Sequence, residues 1–133
     1  MDIAAANGLF ERVLAPWVKE LGLVVESVDP QTTVLLLPDA PQLKHSGGVV
    51  CGQVLMAAAD SAMVVAFSAA LGGFRPMTTV NLNTTFLRPI GGGDMRVRAR
   101  VIRVGKSLLY GEVEIVGADG RVAAHATTTY ALV

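Results

Sequence analysis

The chain has 133 residues, 52% of them apolar and 17% charged, so it is long enough for a folded domain with a real core and is not a disordered segment. Eleven basic and eleven acidic residues cancel, which argues against a nucleic-acid binder. The one cysteine, Cys51, excludes an internal disulfide and fits a reducing compartment, and the N-terminal MDIAAANGLFER lacks the basic n-region of a signal peptide, so a cytoplasmic location is expected.

Residues 3–21 read as a first helical region, with Asn7 as a candidate cap and Leu9, Phe10, Val13 and Leu14 as its apolar stripe. Pro16 breaks that helix or starts a short second turn with Trp17 and Leu21, and Gly22 ends it. LVVESV (23–28) and TTVLLLP (32–38) read as strands joined by a DPQ turn. DAPQLKHSGGVV (39–50) reads as a loop that shortens its side chains as it reaches the next element.

That element, CGQVLMAAADSAMVVAFSAAL (51–71), reads as an all-apolar helix ended by Gly72 and Gly73, with one carboxylate, Asp60, near its middle. Its 18 residues from Val54 to Leu71 reach only the lower edge of a spanning length. Asp at a helix centre costs about 2.5–3.5 kcal/mol on insertion scales. A helix buried within a fold explains the hydrophobicity better than a membrane span.

The remaining chain alternates with period two. In TTVNLNTTFLRP the pattern predicts Val80, Leu82, Thr84 and Phe86 on one face and Thr79, Asn81, Asn83 and Thr85 on the other. DMRVRARVIRV sets Met95, Val97, Ala99 and Val101 against Arg96, Arg98 and Arg100. LYGEVEIV puts Tyr110, Glu112 and Glu114 on one face, and RVAAHATTTYALV completes the set, with GKS and GADG as turns. A hairpin about Gly105–Lys106 places the arginine row beside Glu112 and Glu114. A solvated face of paired charges therefore accounts for the arginines better than nucleic acid does. No repeat or linker interrupts the pattern, so residues 1–133 read as one α+β domain. Its long curved antiparallel sheet wraps around one central apolar helix, which is the hotdog architecture.

An ionised carboxylate among apolar residues needs a partner or a purpose. The residues that share the helical face of Asp60 (Gln53, Met56, Ala57, Met63, Val64 and Phe67) include no base. Asp60 is either a structural acceptor, with donors from Thr79, Asn81, Asn83 or Thr85, or a nucleophile or general base in an apolar pocket. Gly47, Gly48 and Gly52 in HSGGVVCG let a ligand approach free N–H groups at the helix start, as an oxyanion hole requires. Gly52 and Asp60 are eight residues apart, about 12 Å along a helix axis. If both act on one carbonyl, they come from two chains, and the protein is a dimer with composite sites. Two histidines, His45 and His125, and no Cys/His cluster make a metal site improbable, and a GxSxG nucleophile elbow is missing.

HSGGVVCGQVLMAAADSA, TTVNLNTTFLRPIGGGD and VGKSL, in that order, resemble the hotdog-fold acyl-CoA thioesterases of the phenylacetate-degradation (PaaI-type) group in the 4-hydroxybenzoyl-CoA thioesterase superfamily. The match spans roughly residues 30–133. The resemblance implies hydrolysis of an acyl-CoA thioester to a free acid and coenzyme A, with no metal or redox cofactor. It also implies homodimers paired edge to edge, often as dimers of dimers. On this resemblance Asp60 is the catalytic carboxylate and Gly52 the oxyanion donor. Thr79 falls near the attacking water and His45 near the thioester. Cys51, Gln53 and Asn81 fall in the substrate site, and Arg88, Lys106 and Ser107 fall where coenzyme A is contacted. The family often has His-Gly-Gly where this chain has Cys51-Gly52-Gln53. That departure keeps a non-catalytic acyl-CoA binding protein as an alternative. A hotdog hydratase or dehydratase fits less well, because no histidine lies in the matching motif.

Overall fold

The computed structural model describes residues 1–133. Helix α1 spans Ile3–Val13 and α2 spans Pro16–Lys19. Strands β1 (Val24–Val28) and β2 (Thr32–Leu37) follow, then a 3₁₀ turn (Pro41–Leu43) and the long helix α3 (Gly52–Ala70). Strands β3 (Met77–Phe86), β4 (Met95–Val104), β5 (Leu108–Val116) and β6 (Val122–Leu132) complete the chain. The six strands form one antiparallel sheet in the order β1-β2-β4-β5-β6-β3. This is the α+β hotdog architecture that the sequence predicts.

Helix α3 packs against all six strands. It is long and apolar enough to cross a membrane by length and composition, but two thirds of that stretch lies buried under the sheet. Ala58, Ala59, Ala62 and Ala66 are buried and let the sheet approach closely. Met63 and Phe67 fill the space between. Gly111 on β5 is where helix and sheet come closest, since a β-carbon there would collide with the end of Met63 and lie 2.9 Å from the Arg100 carbonyl. Four β-bulges, one each in β1, β3, β4 and the end of the β5–β6 pair, bend the strands around the helix.

The first helix starts earlier than the capping expectation. Asp2, not Asn7, caps α1, accepting from Ala5 N at 2.8 Å. Asn7 lies within the helix, where its Oδ1 accepts from Val25 N at 3.0 Å and ties α1 to β1. Pro16 occupies the first turn of α2, the helical position where its missing N–H costs nothing.

The arginine row pairs as its register demands. Arg98 lies opposite Glu114 and Arg100 opposite Glu112 across β4 and β5, and Arg96 reaches Glu26 at 2.6 Å. The outer face of the sheet is thus a charge-balanced surface.

The alternation in β3 breaks. Val80 is an extra residue opposite β6, between the pairs Thr79–Tyr130 and Asn81–Thr129. The bulge shifts the parity, so Thr79 shares the inner face with Leu82, Thr84 and Phe86. Asn81, Asn83 and Thr85 face outward with Thr129, Thr127 and His125.

Candidate active site

Asp60 sits half-buried in the middle of α3, on the side turned to β3 and β6. Two hydroxyls converge on its Oδ1. Thr79 Oγ1 donates at 2.8 Å and Tyr130 Oη at 2.6 Å. The two donors are register partners on β3 and β6, so the Val80 bulge is what aims both at one carboxylate oxygen. Tyr130 is fully buried against Phe67, ring centroids 5.1 Å apart. Burial pushes its phenol well above the usual range, and the Asp60 charge pushes it further. Tyr130 is therefore a fixed O–H donor at any working pH. Asp60 keeps its second oxygen, Oδ2, outside these two bonds.

Asp60 lines a cavity of about 610 Å³ whose walls are mostly apolar. Met56, Ala57 and Val64 of α3, Met77 and Leu82 of β3, and the corner between α1 and α2 line it. Gln53 and Ser61 lie on it too, although the Ser61 hydroxyl is spent on the Ala57 carbonyl. A carboxylate pinned by two hydroxyls beside an apolar cavity is equipped to attack a bound carbonyl or take a proton from water.

The other end of α3 forms a separate region. Cys51 is the N-cap residue, but its thiol makes no capping bond, and its own N–H is taken by the Leu43 carbonyl. The Gly52 N–H donates to no backbone carbonyl and lies free at the positive end of the helix. Gly52 is packed under Phe86, 3.1 Å from where a β-carbon would stand. Val49, Leu55, Phe86, Leu87 and Arg88 surround it in a second, apolar cleft. His45 is exposed and folded on its own loop, with Nδ1 accepting from Gly47 N at 2.9 Å while its carbonyl accepts from Gly48 N. That bond fixes the proton on Nε2, and the left-handed Gly48 (φ 82°) closes the turn.

The structure thus brings Asp60, Thr79 and Gln53 to one cavity, and Gly52 and Arg88 to another. The face expected of Asn81 is corrected: the bulge turns it to the opposite side of the sheet from Thr79, away from Asp60, and its carbonyl accepts from Thr128 Oγ1. Lys106 and Ser107 lie at the β4–β5 turn with Arg103 and Tyr110, at the end of the sheet opposite Arg88. Tyr130 is the residue that sequence reasoning missed. Its signal was present: it is the one aromatic side chain on a face that otherwise runs Ala124, Ala126, Thr128 and Leu132. No three His, Cys, Asp or Glu side chains come together in a set that could hold a metal ion.

Comparison with known proteins bears on this geometry. The family profile of the Thioesterase superfamily matches residues 47–124, which include the Gly52 turn, Asp60 and Thr79. A candidate esterase of Thermoplasma volcanium is 39% identical over 106 residues, covering 74% of this chain and 73% of the relative. Among solved structures, a candidate esterase of Mycobacterium tuberculosis superposes with a TM-score of 0.83 at 28% identity, covering 90% of this chain and 97% of that one. The Escherichia coli PaaI protein, from the phenylacetic acid degradation operon, superposes with a TM-score of 0.86 over 98% of this chain and 91% of its own, and at 21% identity that likeness carries the fold alone.

Proposed function

Because the chain belongs to the thioesterase superfamily and is therefore a thioester hydrolase, we propose that the thioester it cleaves is that of an acyl-CoA and that Asp60 carries the reaction. The observation behind this reading is the Asp60 carboxylate, held by the hydroxyls of Thr79 and Tyr130 on the wall of an apolar cavity. Asp60 either attacks the carbonyl carbon, forming a mixed anhydride that water opens, or takes a proton from water as it attacks. In both routes the C–S bond breaks, the thiolate of coenzyme A leaves and gains a proton, and the free acid remains. The order of the motifs around Gly52, Asp60 and Arg88 supports a PaaI-type member, without metal or redox cofactor.

The oxyanion donor in this reading is the free Gly52 N–H of a second copy. Along one helix Gly52 and Asp60 stand about 12 Å apart, too far to share a carbonyl. Strand β3 supports such a pairing. It is a ten-residue edge strand with no neighbour on its outer side, and an unpaired edge of that length is a template for another chain. In a dimer of that kind Arg88 of one copy and Lys106 with Ser107 of the other remain candidates for the coenzyme A phosphates. His45, Cys51 and Gln53 flank the thioester.

A thiol-release assay over a panel of acyl-CoAs tests the reading. Asp60→Asn is expected to lose about 10²–10⁴-fold in kcat against wild type. Retention of wild-type turnover by Asp60→Asn overturns the role of Asp60. Binding without turnover by the wild type favours a non-catalytic acyl-CoA carrier. Solvent ¹⁸O found in the Asp60 carboxylate after a single turnover establishes the anhydride route.

A further inference from the structure

The wall of the Asp60 cavity that faces away from the helix and sheet is built from the N-terminal corner, by Val13, Leu14, Trp17 and Val18. The corner is held in place: Leu14 N–H bonds the Phe10 carbonyl, Pro16 starts α2, and Lys19 pairs with Glu11 at 3.5 Å. Yet Trp17 stands 58% exposed on it. An indole offers a large apolar area and a low entropic cost of ordering, so its place at the mouth of a cavity suits the grip of an apolar group. The charge of the cavity is equally informative. No Lys, Arg or His lines it, and Asp60 is its one charged side chain.

We propose that this corner is the acyl-selecting wall of the enzyme. Trp17 closes over an uncharged, apolar acyl group of medium size, and acyl groups that end in a second carboxylate are rejected by Asp60 and by the lack of any cation. The proposal rests on the thioesterase reading above. It adds the specificity residue and the substrate class. A cavity of about 610 Å³ falls in the range of about 300–1,000 Å³ usual for small-molecule sites.

Trp17 is the sole tryptophan of the chain, so its fluorescence reports on the corner alone. The full-length Asp60→Asn protein is titrated with octanoyl-CoA, succinyl-CoA and coenzyme A. Octanoyl-CoA is expected to shift the Trp17 emission saturably, and the other two are expected to leave it unchanged at the same concentrations. In the wild-type background, Trp17→Ala is expected to lower kcat/KM for octanoyl-CoA about tenfold and to change that for acetyl-CoA less than about twofold. Trp17→Leu is expected to fall between the two. Equal shifts with all three ligands, or equal kinetic losses on the long and short substrates, overturn the proposal. So does dissociation of the oligomer by Trp17→Ala in sedimentation, since the indole then covers a protein contact. A wild type that turns over no acyl-CoA defeats the thioesterase reading instead, and the fluorescence titration still decides the pocket.

Discussion

Tyr130 and Asp60 are 70 residues apart in the chain, and the phenol donates to the carboxylate at 2.6 Å. The same hydroxyl lies 2.8 Å from the Asp60 main-chain carbonyl, so one side chain fixes both ends of the aspartate. A hydrogen bond to a charged group is worth about 1.5–3 kcal/mol. Tyr130→Phe keeps the ring against Phe67 and removes only the donor. The variant is expected to lose about 10–100-fold in kcat with KM nearly unchanged, a split that marks a positioning residue. Thr79→Val is expected to behave alike, and Thr79→Ser to stay near wild type. Steady-state kinetics with thermal melts on each variant checks this. A purely structural role lowers the melting temperature and leaves kcat alone.

Gly52 permits a clean test of the proposed oxyanion donor. It is the first residue of α3, and Cys51 before it already has φ −71° and ψ 150°. Proline is well tolerated at the first helical position and demands just such extended geometry of its predecessor. Gly52→Pro therefore removes the N–H without breaking the helix, best combined with Phe86→Leu, because the Phe86 ring stands 3.1 Å from the new β-carbon. The double variant is expected to melt near the Phe86→Leu single variant and to lose about 10²–10³-fold in kcat, the usual cost of one oxyanion donor. Refolded together, Gly52→Pro/Phe86→Leu and Asp60→Ala subunits are expected to recover activity, since a mixed dimer contains one site with both groups. Absence of recovery in verified mixed dimers overturns the composite site.

Much of the fold was legible because its signals are local and repeated. The all-round apolar helix, the two-residue periods of β4 to β6 and the turn residues all act within a few positions. Asp60 was legible for a related reason, since one charge in nineteen helical residues stands out. Its environment was not. A single inserted residue at Val80 inverts the parity of β3, and nothing in TTVNLNTTF distinguishes a bulged strand from a regular one. Thr79 and Asn81, expected on one face, thereby come to lie on opposite faces. Tyr130 reaches Asp60 only through the closure of β6 against β3. Asn7 misled for the opposite reason, being a good local cap whose side chain is recruited by Val25 N.

Gly111 on β5 tests how tightly the sheet is wrapped. Its missing side chain leaves room for the end of Met63, which is fully buried, and the Arg100 carbonyl stands 2.9 Å from the β-carbon position. Met63 can rotate only into packed neighbours, and the carbonyl belongs to the β4–β5 ladder. Gly111→Ala is expected to destabilise by about 1–3 kcal/mol through overpacking. Met63→Ala in the same chain is expected to relieve part of that loss. Urea unfolding of the two single variants and the double one measures the coupling, and simple additivity of the two costs would disprove the contact.

Glu112 sets an acid limit on the outer face. The Arg100 guanidinium, above all, and then His125 at 3.3 Å hold its carboxyl below the ordinary value of 4.5, against a smaller opposing effect of burial. A group whose folded pKa is depressed stabilises the fold above its unfolded pKa, and that contribution fades as pH falls through the folded value. Wild-type stability is therefore expected to drop progressively below about pH 4.5, as other native carboxylates also protonate. Glu112→Gln is expected to be less stable than wild type at pH 7 and to converge on it below the folded pKa. The difference between the two melting curves, followed from pH 7 to pH 2, isolates this group. High salt is expected to narrow the gap at pH 7, because Arg100 is largely exposed and its charge is screened. A gap that stays constant across the whole pH range would show that the carboxylate contributes packing and no charge.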